Sequence, residues 1–566
     1  MKQIAKIFSI TAAAAVLLSG CIKEIVPQGG QASFDQANEA EGSYDNFVAA
    51  ITNSLAGSFA YRPAAQWPID YGYPSFFLSR DVMGQDITLE EQDWYVTQYG
   101  CGTSLGPSYA LAQVPWTYYF MWVKSCNIVL EMAGDEPSAE RRSGAGIAHA
   151  MRAMFYMDLA RMYAPKSYAK DPNAQTVPWV GNDTQLSELP TTPRLTNEQM
   201  WGKILEDLDK AEQYLADYKR PNVYTPDLSV VYGLKARAYL TMEKWKEAED
   251  YAKKAQQGYT VMTEDVFNSH TDGFNTPNGA WMFALTFKDN DDNILQNDAD
   301  GSWGSQMIIE VSPSECGYAA NYGQPKRIDR HLFETIPATD FRKKGFIDFA
   351  IAESFEKAAG DTLGALRKLE AYTDDPEGIL TTAEATTSGT VGGLELKFRP
   401  KGGEHANQYK AFTVAVPLMR VEEMKLIEAE AAGMQDEARG IALLTAFAQT
   451  RDPQYVYGKH SAETYGSTYA KPFQNEVWWQ RRVELWGEGF AFYDIKRLDK
   501  QVIRSYAGSN HIELYRWNAD VYNKVEGTNY PDWMTLCFPQ TQTNYSNIEP
   551  NPIPVAPTAT SPEHKW

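Results

Sequence analysis

The sequence has 566 residues, room for a large buried core and, by length alone, roughly two to four domains. With 52 Lys and Arg against 73 Asp and Glu its formal charge is −21, which leaves no basic surface to neutralise nucleic-acid phosphates. Five scattered cysteines (Cys21, Cys101, Cys126, Cys316 and Cys537) without a CxxC pair, and seven histidines without an HExxH, exclude the usual zinc-site spacings.

Residues 1–20 read as an export signal. Lys2 and Lys6 precede the apolar run Ile7–Leu18, which ends in Leu18-Ser19-Gly20-Cys21. A small pair directly before Cys after such a run resembles a bacterial lipobox, which implies cleavage before Cys21 and lipidation of that residue. No other stretch approaches the ~20 apolar residues of a membrane-spanning helix, so the lipid is the expected anchor and residues 21–33 its tether. Phe34–Ala56 then reads as a helix. Tyr61–Gly106 is instead crowded with Gly, Pro and aromatics, a loop composition with unusual apolar content. Helical spacing returns at Trp116–Met132 and Ala139–Tyr163, joined by a turn at Gly134–Pro137. Thr196 is placed to cap a further helix over Met200–Tyr218.

The clearest periodicity lies in Ser229–Gln257. Val231, Leu234, Ala238 and Met242 form one apolar stripe, and Trp245, Ala248, Ala252 and Ala255 form a second. Only Glu243 and Lys244 are left for the turn, so the two helices fold back antiparallel. Tyr232, Ala236, Tyr239, Trp245, Ala248 and Ala255 fall at the offsets of a tetratricopeptide unit, which buries its stripe only against further helix pairs. Beyond Tyr259 the helical period fades. Met307–Val311 reads as a short strand, Asp329–Phe349 and Glu353–Glu370 as partly helical, and Thr381–Gly393 as a loop. Pairing resumes at Met419–Ala432 and Asp436–Arg451, with Gly433 as the expected stop between them, and a last helix is expected over Phe473–Leu498. Five prolines from Pro550 to Pro562 make the tail, residues 552–566, extended or disordered.

Several blocks, in order, resemble the SusD/RagB family of outer-membrane nutrient-binding lipoproteins. They are the lipobox at Cys21, Asp81-Val82-Met83-Gly84, Arg152–Tyr163, the helix pair at 229–257, Met419–Gly433, Arg481–Arg497, and Phe538-Pro539 followed by Asn547-Ile548 and Asn551. The Arg481–Arg497 block departs from the family pattern at Ala491, where a second arginine is usual, and at Leu498, where an aromatic is frequent. The resemblance implies a mostly α fold, a tetratricopeptide-type scaffold carrying a loop-rich ligand face, as one domain over residues 34–551. The scaffold would occupy mainly 34–60, 116–257 and 419–500, and the loop-rich parts 61–115, 259–418 and 501–551. It also implies a function: a lipid-anchored protein on the outer face of the outer membrane that binds a glycan and delivers it to a TonB-dependent (SusC-like) transporter. A peptide- or glycoprotein-capturing relative of the same fold is the alternative, and a surface hydrolase a remote one. No cofactor is implied.

Catalytic patterns are weak. Gly102-Thr103-Ser104-Leu105-Gly106 matches GxSxG, but the strand and helix that a nucleophile elbow requires are not signalled around it. Arg482, Glu484, Glu488, Asp494 and Arg497 could be an acid/base cluster; Glu484 and Glu488, one turn apart, would stack on one helical face with no room for a sugar between them, so the five read instead as structural ion pairs. Asp289, Asp291, Asn293, Asp298 and Asp300 resemble the start of a calcium loop, yet Ile294 stands where Gly is required and Asp300 where Glu is, so only a weak calcium candidate remains in Asp289, Asp291, Asn293 and Asp300.

The aromatics of the loop regions are the sharper signal, because aromatic faces attract the positively polarised C–H faces of sugar rings. Candidates are Trp94, Tyr95 and Tyr99 in the first loop region and Trp281, Trp303, Tyr318 and Tyr322 in the second, with Arg80, Asp81, Gln98 and Asn321 as nearby hydrogen-bonding groups. Trp303, flanked by Gly301-Ser302 and Gly304-Ser305, and Trp94, after the run Glu90–Asp93, are the two rings expected to be exposed.

Overall fold

Helix caps written in the sequence set the scaffold. The computed structural model describes residues 38–57, 61, 67–312, 316–351 and 362–566; Cys21, with the export signal and the tether, lies outside them. Helix α1 (Ser43–Asn53) packs on α2 (Ala110–Ala133), which folds back on α3 (Arg142–Tyr163) after Gly134. Thr196 caps α4 (Asn197–Tyr214) as expected: its hydroxyl accepts from Gln199 N, and the Gln199 side chain accepts from Thr196 N. Asp227 starts α5 (Leu228–Thr241), its carboxylate accepting from Ser229 N and Val230 N. The turn into α6 (Trp245–Ala255) places Glu243 at φ 56°. The alanine face of α6 (Ala248, Ala252, Ala255) is fully buried, and α6 packs on both α5 and α7 (Val421–Gln435). Trp245, expected between the two helices, is only half-buried.

Four local expectations are corrected. Gly433 does not stop α7, which runs on to Gln435 before Asp436 caps α8 (Glu437–Ala448). The glycine serves close approach: a Cβ there would lie 2.1 Å from the Phe473 ring, and one on Gly440 would lie 2.2 Å from the Gly433 Cα. The single last helix is two, α9 (Pro472–Glu484) and α10 (Ala491–Leu498), broken where Gly487 (φ 74°) and Gly489 (φ 83°) turn the chain. Residues 381–385 belong to the helix Pro376–Ala385, so only 386–393 of the expected loop is loop. Met307–Val311 is no strand; Trp303–Met307 is a short helix capped by Ser302.

Among the described residues the strands lie elsewhere, in three antiparallel pairs: β1 (Ile87–Thr88) with β5 (Arg327–Ile328), β2 (Gln175–Pro178) with β3 (Arg194–Thr196), and β4 (Trp281–Thr286) with β6 (Ala415–Arg420). Every residue of β6, and all of β4 but Thr286, is buried. Such a run has no period-2 alternation to reveal it.

The charged residues of the last two helices are structural. Glu484 is fully buried and accepts from Arg342 (3.2 Å), Arg420 (3.1 Å) and Arg451 (3.1 Å), while Arg420 also pairs with Glu488 (2.8 Å). Arg482 pairs with Asp86 (2.6 Å), and Arg497 with Glu430 (2.6 Å) and Asp494 (2.8 Å). Apart from the Arg497–Asp494 pair, which lies within α10, these contacts bind the last two helices and the turn between them to segments distant in sequence. The tail lacks helix or sheet and is tied down: Ser505 Oγ donates to Ser561 O and His564 N donates to Ser505 O, both at 2.8 Å, and Trp566 stacks on His331 with centroids 3.5 Å apart.

Candidate ligand-binding face

Two segments far apart in sequence are zipped together to form the face. The β1–β5 pairing aligns Ile87 with Ile328 and Thr88 with Arg327. Beyond it, Arg327 pairs with Glu90 (3.2 Å) and the fully buried Lys326 pairs with Asp93 (2.8 Å). Gln92 Nε2 donates to Gly323 O (2.8 Å), and Trp94 N donates to Gln324 Oε1 (3.2 Å). A paired and hydrogen-bonded buried ion pair costs much to break, so this seam is a rigid support for whatever it displays.

What it displays beside Trp94 is a π-helical turn, Gly317–Asn321, a form found frequently at functional sites. Gly317 (φ 72°) donates its N–H to Asp300 Oδ1 (2.7 Å), Tyr318 N donates to Ser305 Oγ (2.9 Å), and Asn321 Nδ2 donates back to Cys316 O. Burial pushes the Asp300 carboxyl up to about 6, against the Gly317 hydrogen bond that favours its charge. The turn carries Tyr318 and is followed directly by Tyr322, whose ring lies against it. Trp94 is 43% exposed and Tyr322 41%, with Tyr318 half-buried between them. The Trp94–Tyr318 centroids are 6.1 Å apart at 75°, and those of Tyr318–Tyr322 5.4 Å apart at 43°. Burial raises the Tyr318 phenol above its usual range, so it stays neutral and can both donate and accept.

The other candidate rings are core. Tyr95 is sealed, its hydroxyl 2.6 Å from that of Tyr71, and Tyr99 lies stacked on His511 beneath the Arg504 guanidinium. Trp281 is buried in β4. Trp303 is buried edge-on to Phe77 (6.2 Å) and Phe398 (5.2 Å). Its Ser/Gly neighbours misled: Ser302 is a helix cap, and a Cβ on Gly304 would lie 2.6 Å from Phe412, so these small residues permit packing and do not mark a solvent loop. Arg80 is buried, donating to Gly489 O (3.1 Å) and Tyr119 OH (3.2 Å). Asp81 accepts from Gly489 N (2.8 Å) and Ala491 N (3.0 Å), and burial pushes it up to about 7. Gln98 is buried too, so none of these three reaches a ligand at the surface.

The calcium candidate does not assemble. Asp289 is exposed, Asp291 accepts from Lys288 N, Asn293 is buried donating to Gly301 O, and Asp300 is committed to Gly317. Among the described residues no three His, Cys, Asp or Glu side chains converge as a metal site, and the described cysteines are buried. Ser104 of the GxSxG match sits in a 3-10 turn, Thr103–Leu105, that follows the short helix Val96–Tyr99. Sequence reasoning missed Gln92 and Gln324, which hold the seam, and Tyr409, 40% exposed with its hydroxyl donating to Asp298 (2.9 Å). No periodic signal marks any of them.

Residues 87–240 match the SusD-like family whose description reads starch-binding associating with outer membrane. No curated protein sequence matches the chain. Solved structures share the fold almost end to end. A SusD superfamily protein from Bacteroides vulgatus ATCC 8482 aligns with a TM-score of 0.64 at 18% identity, over 90% of this chain and 98% of that one. The surface glycan-binding protein A of Bacteroides thetaiotaomicron, in complex with laminarihexaose, aligns at 0.62 and 16%, over 90% and 99%. A laminarin-binding SusD-like protein aligns at 0.60 and 15%, again over 90% and 99%. The helical scaffold is the fold of these solved SusD-like structures, and residues 87–240 carry the match to the SusD-like family.

Proposed function

We propose that this protein binds a glycan at the outer surface of the outer membrane, held there by a lipid on Cys21, and passes it to a TonB-dependent transporter. The supporting observation is the Trp94–Tyr318–Tyr322 cluster. Three rings, two of them more than two-fifths exposed, sit on a rigidly braced seam where an apolar core has no need of them. Sugar rings offer polarised C–H faces to such a surface, and the Tyr318 and Tyr322 hydroxyls offer hydrogen bonds at its edge. Solved relatives of the same fold bind laminarin and laminarihexaose, which favours a glycan over a peptide here. No catalytic role is proposed for any residue. Titration of the purified chain with a polysaccharide panel tests the reading: binding without product formation is expected, and product formation, or binding to peptides but to no polysaccharide, would overturn it.

A further inference from the structure

Next to the three rings the surface opens into a groove of about 520 Å³, within the ~300–1,000 Å³ usual for ligand clefts. One wall is Leu89–Glu91. Glu91 precedes Trp94 by three residues, so no more than ~11 Å of extended chain separates them. The facing walls are the loop after the helix Pro376–Ala385 and the segment 508–516. The seam that braces the rings also braces this groove. Ser388 Oγ donates to Glu90 Oε1 (2.9 Å) and Thr387 Oγ1 donates to Gln92 Oε1 (3.1 Å), while Gln92 holds Gly323 on the other side.

Its charges alternate in sign. The floor carries the buried Glu90–Arg327 pair. Arg516 stands on the wall, its guanidinium fixed by donation to His511 O (3.0 Å) and Ser509 O (2.9 Å), and it forms no ion pair among the described residues. Glu91 and Glu513 are exposed in the lining. Half-buried Phe349 supplies an apolar patch, with the Arg330 guanidinium 5.3 Å from its ring centroid. A polyanion would meet the glutamates and a polycation the arginines. An uncharged polyol can donate to the carboxylates and accept from the guanidinium groups, and so uses both.

We infer that this groove continues the ligand face and receives further units of an extended, uncharged polysaccharide whose neighbouring units lie on Trp94, Tyr318 and Tyr322. The inference rests on the glycan reading above and adds two things to it, chain length and neutrality.

The test titrates the full chain with laminarin, amylopectin, galactomannan and xyloglucan, with the acidic alginate and polygalacturonate, and with a trisaccharide of whichever polymer binds. Thr390→Trp fills the groove from a half-buried loop position, and Arg516→Ala removes its fixed cation. The expected result is that a neutral polymer binds, Trp94→Ala weakens polymer and trisaccharide alike, and each groove variant weakens the polymer at least tenfold with the trisaccharide unchanged. Hydrogen exchange on the unmutated protein should show 387–392 and 508–516 protected by the polymer and not by the trisaccharide, a readout independent of how the variants fold. Unchanged polymer affinity in folded groove variants, no added protection, or binding of acidic polymers alone would overturn the inference while leaving a glycan-binding ring cluster in place. Binding of no glycan at all would overturn the glycan reading itself, and this inference with it.

Discussion

Replacing Trp94 and Trp303 by alanine separates the ligand face from the core. Trp303 is 1% exposed and wedged edge-on between Phe77 and Phe398. Truncating such a ring removes its transfer energy and leaves a cavity, about 3–5 kcal/mol of stability in all. Trp94 keeps 43% of its surface open. For a side chain of up to ~250 Å² that is ~100 Å² still in water, and at ~25 cal/mol/Å² its complete burial against a ligand is worth up to ~2.5 kcal/mol, or ~60-fold in Kd. Trp94→Ala costs folding the part of the ring already covered, together with about 0.5–1.5 kcal/mol for its edge contact with Tyr318, and leaves no enclosed cavity behind. Thermal unfolding followed by circular dichroism, paired with titration of the bound polysaccharide, reads both quantities. Trp303→Ala should lower Tm sharply and keep its affinity while folded; Trp94→Ala should lose affinity with a distinctly smaller drop in Tm. If Trp94→Ala destabilises as much as Trp303→Ala and binds as tightly as the unmutated chain, Trp94 is core and the ligand face lies elsewhere.

Glu484→Gln should cost about 3–5 kcal/mol, since it leaves three buried guanidinium groups without their shared carboxylate; chemical denaturation measures it. Although burial opposes the charge, Arg451, Arg420 and Arg342 hold the Glu484 carboxyl far below its usual range, so its contribution is present above about pH 4.5 and is lost as pH falls below that. Asp300 has the opposite sign: burial raises it to about 6, so its contribution is complete below about 3.8 and lost as pH rises through 6. Asp300→Asn, which keeps an acceptor for Gly317 N, should therefore gain about 1 kcal/mol at pH 8 after allowance for solvent screening and nothing near pH 3.5, as read from Tm at the two pH values. Cys21→Ala should release the protein from the membrane fraction of cells lacking the partner transporter; continued membrane association would refute lipid anchoring.

The parts of this molecule that were legible in its sequence are those set by neighbours in the chain. The cap at Thr196, the antiparallel pair after Asp227 and the buried alanine face of α6 depend on residues within a turn or two of one another. The ion pairs around α9 and α10 were readable as structural, but not for the reason helical spacing gives: the helix ends at Glu484, and it is Arg420 that brings Glu484 and Glu488 together, a partner that, like Arg342 and Arg451, could not be named. Gly433 shows the limit. As a residue type it signals a helix end, and only the arrival of Phe473 some forty positions later turns it into a packing site.

The same limit separates the two tryptophans, and it explains why the ligand face was only partly visible. Around Trp303 the sequence shows Gly and Ser, which a surface loop would also show; what buries the ring is Phe77 from 226 positions upstream and Phe398 from 95 downstream. Around Trp94 the signal was a run of carboxyl and amide residues, which did mark surface, but for a more particular reason than solvation. Glu90, Gln92 and Asp93 are each committed to a partner across the seam, Arg327, Gly323 and Lys326 in turn. With three of the four residues before it pinned to that seam, the ring that follows is held firmly yet left uncovered. A polar run most of whose members bond inward, ending in an aromatic that does not, is therefore a stronger pointer to a binding surface than aromatic density. Density treats Tyr95, sealed against Tyr71, as the equal of Trp94 beside it. The distinction lies in which backbone the polar run is tied to, and that is a property of the folded chain.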